Sequence, residues 1–394
     1  MRRTLMPTLL VALLAGFLTG PAAAQVKLAT LPLRERVEIQ LDHPAKTLVE
    51  EERVVTLLQG TNFIDFSWAN TQIDPQTILF RPLAVASAVR VINVAYPPNE
   101  NALVWQVYAD KAGPVRVRIS YLIQNLRRSF SYRATAEADE KTLTLRHFIK
   151  VQNFSGEEFG QDVGIWAGYG DHFRREVGLQ EAKELLAARF VDVPIQKKFV
   201  FSWRSGQPVP EEPKQRYVTM QYVLKNDAEH QMGQFPLQYG KVRIFQKDGH
   251  GGEAFTGEDW GLFTPIDDEM KLYLGLARDI KVERTVEQNK RIPEHGNLFH
   301  QEVTVKYMIQ SFKKDGCQLD IEEDMNALRD EFCGCKDHPA QWKILGETSK
   351  TGIVERKSAQ QVEIHVPLPP APTKADQKPK EVIYKFNVTF RNEW

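Results

Sequence analysis

Hydrophobic and polar residues alternate with a period of two along much of this chain. Because successive side chains of a strand point to opposite faces of a sheet, such a run predicts a strand with one buried face. The clearest runs cover residues 115–123, 143–151, 303–309 and 382–390. Turn-forming residues, such as those at 96–99, separate the runs. Many such strands favour a mainly β protein built from antiparallel β-sandwiches.

Two stretches have helical spacing instead. The first, about 176–190, and the second, about 321–332, each place their large apolar residues on one stripe of a helix. The stripe residues are Leu179, Ala182, Leu186 and Phe190 in the first stretch and Ile321, Met325, Leu328 and Phe332 in the second. Asp320, with Glu323 three residues later, is the predicted N-cap of the second helix. We therefore expect two short helical insertions packed against sheets.

The first 24 residues have the three-part layout of a secretory signal peptide. Arg2 and Arg3 precede an apolar run over 9–18, and a group of small residues ends at Ala24. The apolar run is well below the roughly 20 residues needed to span a bilayer, and no later run reaches that length. We predict cleavage after Ala24, a periplasmic or secreted product, and no stable membrane insertion after cleavage.

Charge and length narrow the class of protein. The chain has 51 basic and 51 acidic residues, so loss of Arg2 and Arg3 with the signal leaves 49 basic residues. With no basic excess, nucleic acid and anionic membrane surfaces are poor expectations as partners. Removing 24 of the 394 residues leaves 370. Single cores stop growing at about 250–300 residues, so we expect more than one domain.

Common catalytic signatures are absent from the sequence. It has no GxSxG, HExxH or GxxxxGK motif, and no Cys-x-x-Cys pair of the kind that holds zinc. Active sites also assemble from distant residues, so this absence lowers the expectation of catalysis without removing it. The sequence favours a protein that is not an enzyme, and we predict no cofactor and no metal.

A glycine-rich loop over 247–261 holds the strongest candidates for a ligand site. His250, Glu253, Glu258 and Asp259 combine an imidazole and carboxylates with flexible backbone, which suits a cation or a polar ligand. The alternative is a β-hairpin in which the glycines supply the positive φ angles of a tight turn. Calcium loops have denser acidic spacing, which favours the hairpin.

His147 interrupts the apolar face of the run over 143–151. Buried polar groups in proteins are normally hydrogen-bonded. We therefore expect a hydrogen-bonded core or edge histidine at this position.

Three cysteines, Cys317, Cys333 and Cys335, lie near the second helical stretch. In an exported chain they allow at most one internal disulfide. A helix over 321–332 would separate its ends by about 16 Å, and only Cys317 and Cys335 have flanks that close this gap comfortably. We predict that these two form a disulfide worth about 3 kcal/mol, with Cys333 left as a thiol. A redox role for Cys333-Gly334-Cys335 is the alternative, although reactive pairs are usually Cys-x-x-Cys.

Several segments resemble the mucoidy-inhibitor-A-like family of exported bacterial proteins, which carry a conserved domain of unknown function. In 240–284, a GKVRIF strand leads through a glycine-rich turn and a GED step to a TP turn and a further strand. The closing segments WKILGETSK (342–350) and EVIYKFNVTFRNEW (381–394) resemble the last strands of the family. Its members often carry a long coiled coil, which is absent here. The resemblance implies a compartment and a fold, and it brings no catalytic residues.

The resemblance also implies how the chain divides into domains. Residues 120–134 resemble the junction at which the conserved domain begins, and 55–83 resemble the N-terminal β-domain. We expect a smaller β-domain over 25–123 and a larger one over 124–394, with a helical insertion at about 314–340. The fold class is mainly β, with tandem antiparallel β-sandwich-like domains.

A non-catalytic role in the cell envelope agrees best with these observations. The expected protein binds or scaffolds an envelope protein or a surface glycan through sheet edges and loops. The alternative is a hydrolase of an envelope glycan or peptide that uses Glu253, Glu258 and Asp259, which would need two carboxylates in a cleft with one pKa raised.

Overall fold

The structure is a computed structural model that describes residues 27–28, 31–43, 45–83, 88–160, 163–167, 172–203, 215–334, 336–346, 348–349, 352–372 and 379–394. The predicted signal peptide and Cys335 lie outside these residues. Within them the protein is mainly β with sandwich-like packing, which confirms the predicted fold class. No helix in these ranges has the length and apolar character needed to cross a membrane.

The chain divides into two compact units. The first extends to Arg128 and also includes Gln152–Lys183, and the second combines Ser129–Val151 with Glu184–Trp394. The linear division predicted from the sequence placed one boundary at residue 123. In the structure the first boundary follows Arg128, and the later segment Gln152–Lys183 also belongs to the first unit.

The strands up to residue 174 are β1 (Lys27–Leu28), β2 (Arg36–Gln40), β3 (Thr47–Leu57), β4 (Gly60–Ser67), β5 (Leu79–Pro82), β6 (Val89–Ala95), β7 (Ala102–Ala109), β8 (Gly113–Ile123), β9 (Leu126–Ala136), β10 (Thr142–Asn153), β11 (Gly164–Trp166) and β12 (His172–Arg174). They belong to the first unit, except β9 and β10, which lie mostly in the second. A single 3-10 turn spans Pro75–Thr77.

The first unit is a sandwich of two sheets with strand orders β1-β4-β7-β6 and β12-β11-β2-β3-β8-β5. In β7 every second residue is buried, as the alternating pattern predicts. Aromatic rings join the two inner faces: the Phe66 and Tyr121 ring centroids lie 5.8 Å apart, and those of Phe80 and Trp105 lie 5.0 Å apart.

The remaining elements belong to the second unit. They are β13 (Ala182–Pro194), β14 (Gln196–Ser202), β15 (Gln215–Lys225), β16 (Gly240–Lys247), β17 (Glu253–Gly261), β18 (Glu269–His295), β19 (Leu298–Ser311), β20 (Cys317–Asp324), α1 (Met325–Cys333), β21 (Trp342–Ile344), β22 (Ile353–Arg356), β23 (Gln361–Leu368) and β24 (Glu381–Glu393).

Two sheets form the second unit, with strand orders β13-β10-β9-β16-β17 and β21-β24-β19-β18-β15-β14-β20-β23-β22. The smaller sheet shares a core with β15 and the start of β18. The larger sheet folds over itself, because side chains of β14, β20 and β23 share a second core with those of β18, β19 and β24. The Phe201 and Tyr307 rings meet edge to face across this core, with centroids 6.2 Å apart.

The helix predicted over 176–190 is wrong. Most of this stretch is strand β13, which pairs with β10 at the edge of the smaller sheet. Leu179 and Leu186 of the predicted apolar stripe are exposed, whereas Phe190 and Val193 are buried. Tertiary pairing at a sheet edge outweighs the local helical preference of the LLAAR segment.

The second predicted helix is shorter and begins later than the spacing indicated. Residues 317–324 form strand β20, and helix α1 covers Met325–Cys333. The N-cap is Asp324, whose Oδ1 accepts a hydrogen bond of 2.8 Å from the Ala327 amide, and not Asp320. Leu319, Ile321 and Glu323 are buried on alternate positions, and this strand pattern overlaps the helical spacing that starts at Ile321.

Candidate binding surface

The glycine-rich loop is the turn of a β-hairpin at the edge of the smaller sheet. Strands β16 and β17 pair antiparallel, and β17 is the last strand of that sheet in the described part of the chain. Gly249 and Gly251 have φ angles of 77° and 96°, which only glycine adopts readily. Asp248 Oδ1 accepts hydrogen bonds from the His250 and Gly252 amides at 2.8 and 2.9 Å. The loop glycines therefore serve the turn.

The four candidate ligand residues do not converge on one point. His250 lies at the exposed turn, while Glu253 pairs with Arg133 at 2.6 Å. Glu258 Oε1 lies 2.6 Å from Lys241 Nζ. Asp259 accepts hydrogen bonds from the backbone amides of Trp260 and Tyr273.

The charges on the hairpin do not suit acid catalysis by Glu258 and Asp259. These two residues are neighbours on a strand, so their side chains point to opposite faces. The hydrogen bond from Lys241 holds the pKa of Glu258 below its ordinary value. A glycosidase acid needs its pKa raised instead.

A group of large apolar side chains lies exposed next to these residues. Tyr239, Trp260 and Leu262, named here the hairpin patch, are exposed to 54%, 48% and 68%. The Tyr239 and Trp260 rings stack with centroids 5.1 Å apart and planes within 5°. Because Gly240 pairs with Gly261 and Lys241 with Trp260, both rings lie on the face of the hairpin that also carries Lys241.

Charged residues border the hairpin patch on the same face. Lys241 Nζ lies 5.3 Å from the centre of the Trp260 ring, and Arg243 Nε lies 3.4 Å from Glu258 Oε2. The result is an apolar centre with a rim of paired charges. Sequence reasoning missed this patch, although the clustering of aromatic residues in YGK (239–241) and DWGLF (259–263) is a signal for it.

The cysteines remain only partly placed. Neither Cys317 nor Cys333 is bonded to another described cysteine, and Cys335 lies outside the described residues. The reach argument for Cys317–Cys335 assumed a helix starting near 321. In the structure Cys317 is the first of the eight residues of β20, which place it about 26 Å from the start of α1. The pairing therefore stays a prediction, without the geometry that favoured it.

His147 is buried, but neither ring nitrogen has a hydrogen-bond partner among the described residues, so the expected hydrogen bond is wrong. Its ring stacks on Tyr132, with centroids 4.7 Å apart, and lies near Phe130 and Phe235. Burial lowers the pKa of His147 to about 4, so the imidazole is neutral at neutral pH. Aromatic packing takes the place of polar contacts here.

The chain matches no family model and no curated protein. The resemblance to the mucoidy-inhibitor-A-like family stays a prediction that rests on the segments quoted above. Function is therefore argued from the surface of this chain alone.

Proposed function

We propose that this chain is an exported, non-catalytic protein of the cell envelope that binds another envelope protein through the hairpin patch. The observation that carries the proposal is the exposure of Tyr239, Trp260 and Leu262 on one face of a hairpin at a sheet edge. Single exposed apolar residues are ordinary on protein surfaces, whereas contiguous patches mark interaction sites.

The composition of the patch suits a protein partner. Interface centres are enriched in aromatic residues, and their rims are polar, as the Lys241, Arg243 and Glu258 side chains are here. Leu262 provides an aliphatic contact, which favours a protein over a glycan, because sugar rings stack mainly on aromatic faces.

The hydrolase alternative has less support. Glu253, Glu258 and Asp259 each have a partner within the protein, and the pKa of Glu258 is shifted in the direction opposite to that of a general acid. The hairpin places these groups along an edge and not around a cleft.

Site-specific photocrosslinking in intact cells tests the proposal. A photoreactive residue replaces Tyr239, and a matched control replaces Tyr96, which is exposed to 53% in the first unit. We expect one reproducible envelope protein to be crosslinked from position 239 and not from position 96. Trp260→Ala should reduce that yield at least several-fold, because aromatic residues at interface centres contribute most of the binding energy.

Three other results would count against the proposal. Equal yields from both positions, or no specific product from a folded and exported protein, contradict the assigned surface. A crosslinked product that contains carbohydrate and no protein would replace the protein partner with a glycan. Mass spectrometry of the exported chain checks the compartment, since cleavage after Ala24 leaves Gln25 as the first residue.

A further inference from the structure

Three potential metal ligands meet on the outer face of the larger sheet. Asp320 lies on β20, and Glu363 and His365 lie on β23, and one ligand atom from each lies within 4.8 Å of the others. His365 Nδ1 is 2.8 Å from Asp320 Oδ1 and 4.0 Å from Glu363 Oε1. Asp320 is 1% exposed and Glu363 8%.

Sheet register creates this cluster. Antiparallel pairing of β20 with β23 sets Asp320 directly opposite His365, and Glu363 lies two residues before His365 on the same face. The opposite face of both strands packs into the core through Leu319, Ile321 and Ile364. The three ligand groups are therefore fixed by the sheet and do not depend on a loop.

A fourth residue orients the imidazole. His365 Nε2 lies 3.3 Å from Glu355 Oε2 on the neighbouring strand β22. A neutral imidazole has one N–H and one lone pair. When the N–H donates to Glu355, the Nδ1 lone pair faces the Asp320 carboxylate and is the imidazole atom available to a metal ion. The amide of Gln318 lies beside both groups, with Nε2 2.7 Å from Asp320 Oδ1 and 3.2 Å from His365 Nδ1.

The buried carboxylates of Asp320 and Glu363 bring negative charge to the position that His365 Nδ1 faces. A carboxylate on the far nitrogen of a histidine is also the usual outer partner of a metal-bound imidazole.

We propose that Asp320, Glu363 and His365 bind one divalent transition-metal ion of the Zn²⁺ type, with Glu355 holding His365 in the ligating orientation. Zn²⁺ binds both imidazole nitrogen and carboxylate oxygen, and three protein ligands leave a position for water or an exogenous group. Glu363 also lines a cavity of about 470 Å³ with Lys271 and Glu322.

Two lysines set the charge around the ion. Lys357 Nζ lies 3.0 Å from Glu363 Oε2 and so uses the oxygen that does not face His365. Lys198 Nζ is 3.8 Å from both Asp320 Oδ2 and Glu363 Oε1. Lys198 competes with a bound cation, so Lys198→Met should tighten metal binding.

Calorimetric titration of the chelator-treated mature protein with Zn²⁺ tests the site, with metal content measured separately by mass spectrometry. We expect one ion per chain, binding about 10- to 100-fold weaker in Glu355→Gln, and a larger loss in His365→Ala and Asp320→Asn. The matched control is His300→Ala, because His300 also lies beside a carboxylate, 3.4 Å from Glu294, but outside the cluster. Its affinity should equal that of the wild type.

Several outcomes overturn the proposal. These are no bound ion, unchanged affinity in His365→Ala and Asp320→Asn, unchanged or weaker affinity in Lys198→Met, or an ion that is lost only in Cys333→Ser. Should the ligand variants fail to fold by circular dichroism, X-ray absorption of the Zn²⁺-loaded wild type decides instead. Oxygen and nitrogen ligands alone are expected, and a sulfur ligand contradicts the assignment.

Discussion

Arg284 and Glu323 form an ion pair inside the second unit, with Arg284 Nε 3.1 Å from Glu323 Oε1. Tyr307 donates a hydrogen bond to the same carboxylate oxygen. Arg284 also contacts Glu331 of α1 at 3.2 Å, and its guanidinium lies 4.8 Å from the centre of the Trp203 ring. One arginine thus connects β18, β20 and the helix.

Replacing Arg284 should destabilise the protein strongly. Arg284→Met leaves the buried Glu323 without its counter-ion, and loss of one partner of a buried pair costs about 3–5 kcal/mol. Urea denaturation measures the free energy of unfolding. Arg243→Met, which removes an exposed partner of Glu258, is the control and should leave stability nearly unchanged. Similar losses in both variants would show that the buried pair stabilises the protein no more than the exposed pair does.

His147 should make stability depend on pH. Its folded-state pKa is lowered to about 4, whereas an unfolded histidine titrates near about 6.5. The unfolded chain therefore binds the proton more readily, so stability is complete above pH 6.5 and is lost as pH falls towards 4. The shift corresponds to about 3 kcal/mol at 1.36 kcal/mol per pKa unit.

The His147→Phe variant isolates this effect. Phenylalanine fits the aromatic surroundings and does not titrate, so the stability advantage of the variant over the wild type should grow between pH 7 and pH 4. The exposed His250→Ala is the control and should follow the wild type. A constant difference between His147→Phe and wild type at all pH values would refute the assignment.

Glu393 is a destabilising residue in this fold. It is 0% exposed, and neither carboxylate oxygen has a hydrogen-bond partner in the part of the chain that the structure describes. Burying a polar group without a partner costs about 1–3 kcal/mol by protein mutational data. Glu393→Met should therefore raise the free energy of unfolding by at least about 1 kcal/mol. Glu381→Met, an exposed change on the same strand, should have little effect, and a loss of stability in Glu393→Met would contradict the prediction.

The described cysteines should be poor nucleophiles. Burial, followed by the nearby Glu393 carboxylate, raises the pKa of Cys333 to about 11, and burial also raises the pKa of Cys317. Reactive cysteines have a lowered pKa instead. Alkylation by iodoacetamide at pH 7 should be much slower in the folded protein than in urea. Fast labelling of Cys333 in the folded protein would revive the redox alternative.

Local patterns predicted the strands well and the helices poorly. The run over 303–309 has one buried face in β19, because alternation is a property of neighbouring residues that the sheet only has to bury. Residues 176–190 have helical spacing, yet pairing with β10 makes them a strand. Such pairing depends on residues far away in the chain, which periodicity does not detect.

The hairpin patch and the Asp320–His365 cluster also differ in how far the sequence predicts them. The hairpin patch lies within ten residues of the loop that the sequence singled out, so the region was predictable even though Glu253, Glu258 and Asp259 each contact other groups of the protein. Asp320 was interpreted as a helix cap, and it contacts His365, which is 45 residues later. Only the register of β20 against β23 brings these two together.

The chain runs from the first unit into the second, back into the first and again into the second. This order constrains when each unit can fold and where the chain can be cut. Ser129–Val151 belongs to the second unit, and Gln152–Lys183 returns to the first. Strand β11, within that returning segment, hydrogen-bonds to β2, so a cut near residue 123 would leave β2 with an open edge. During synthesis the larger sheet of the first unit cannot be completed until β12, which ends at Arg174, has been made. By then residues 129–151 of the second unit have already been made. A single crossover in the gene therefore cannot exchange one unit without also dividing the other.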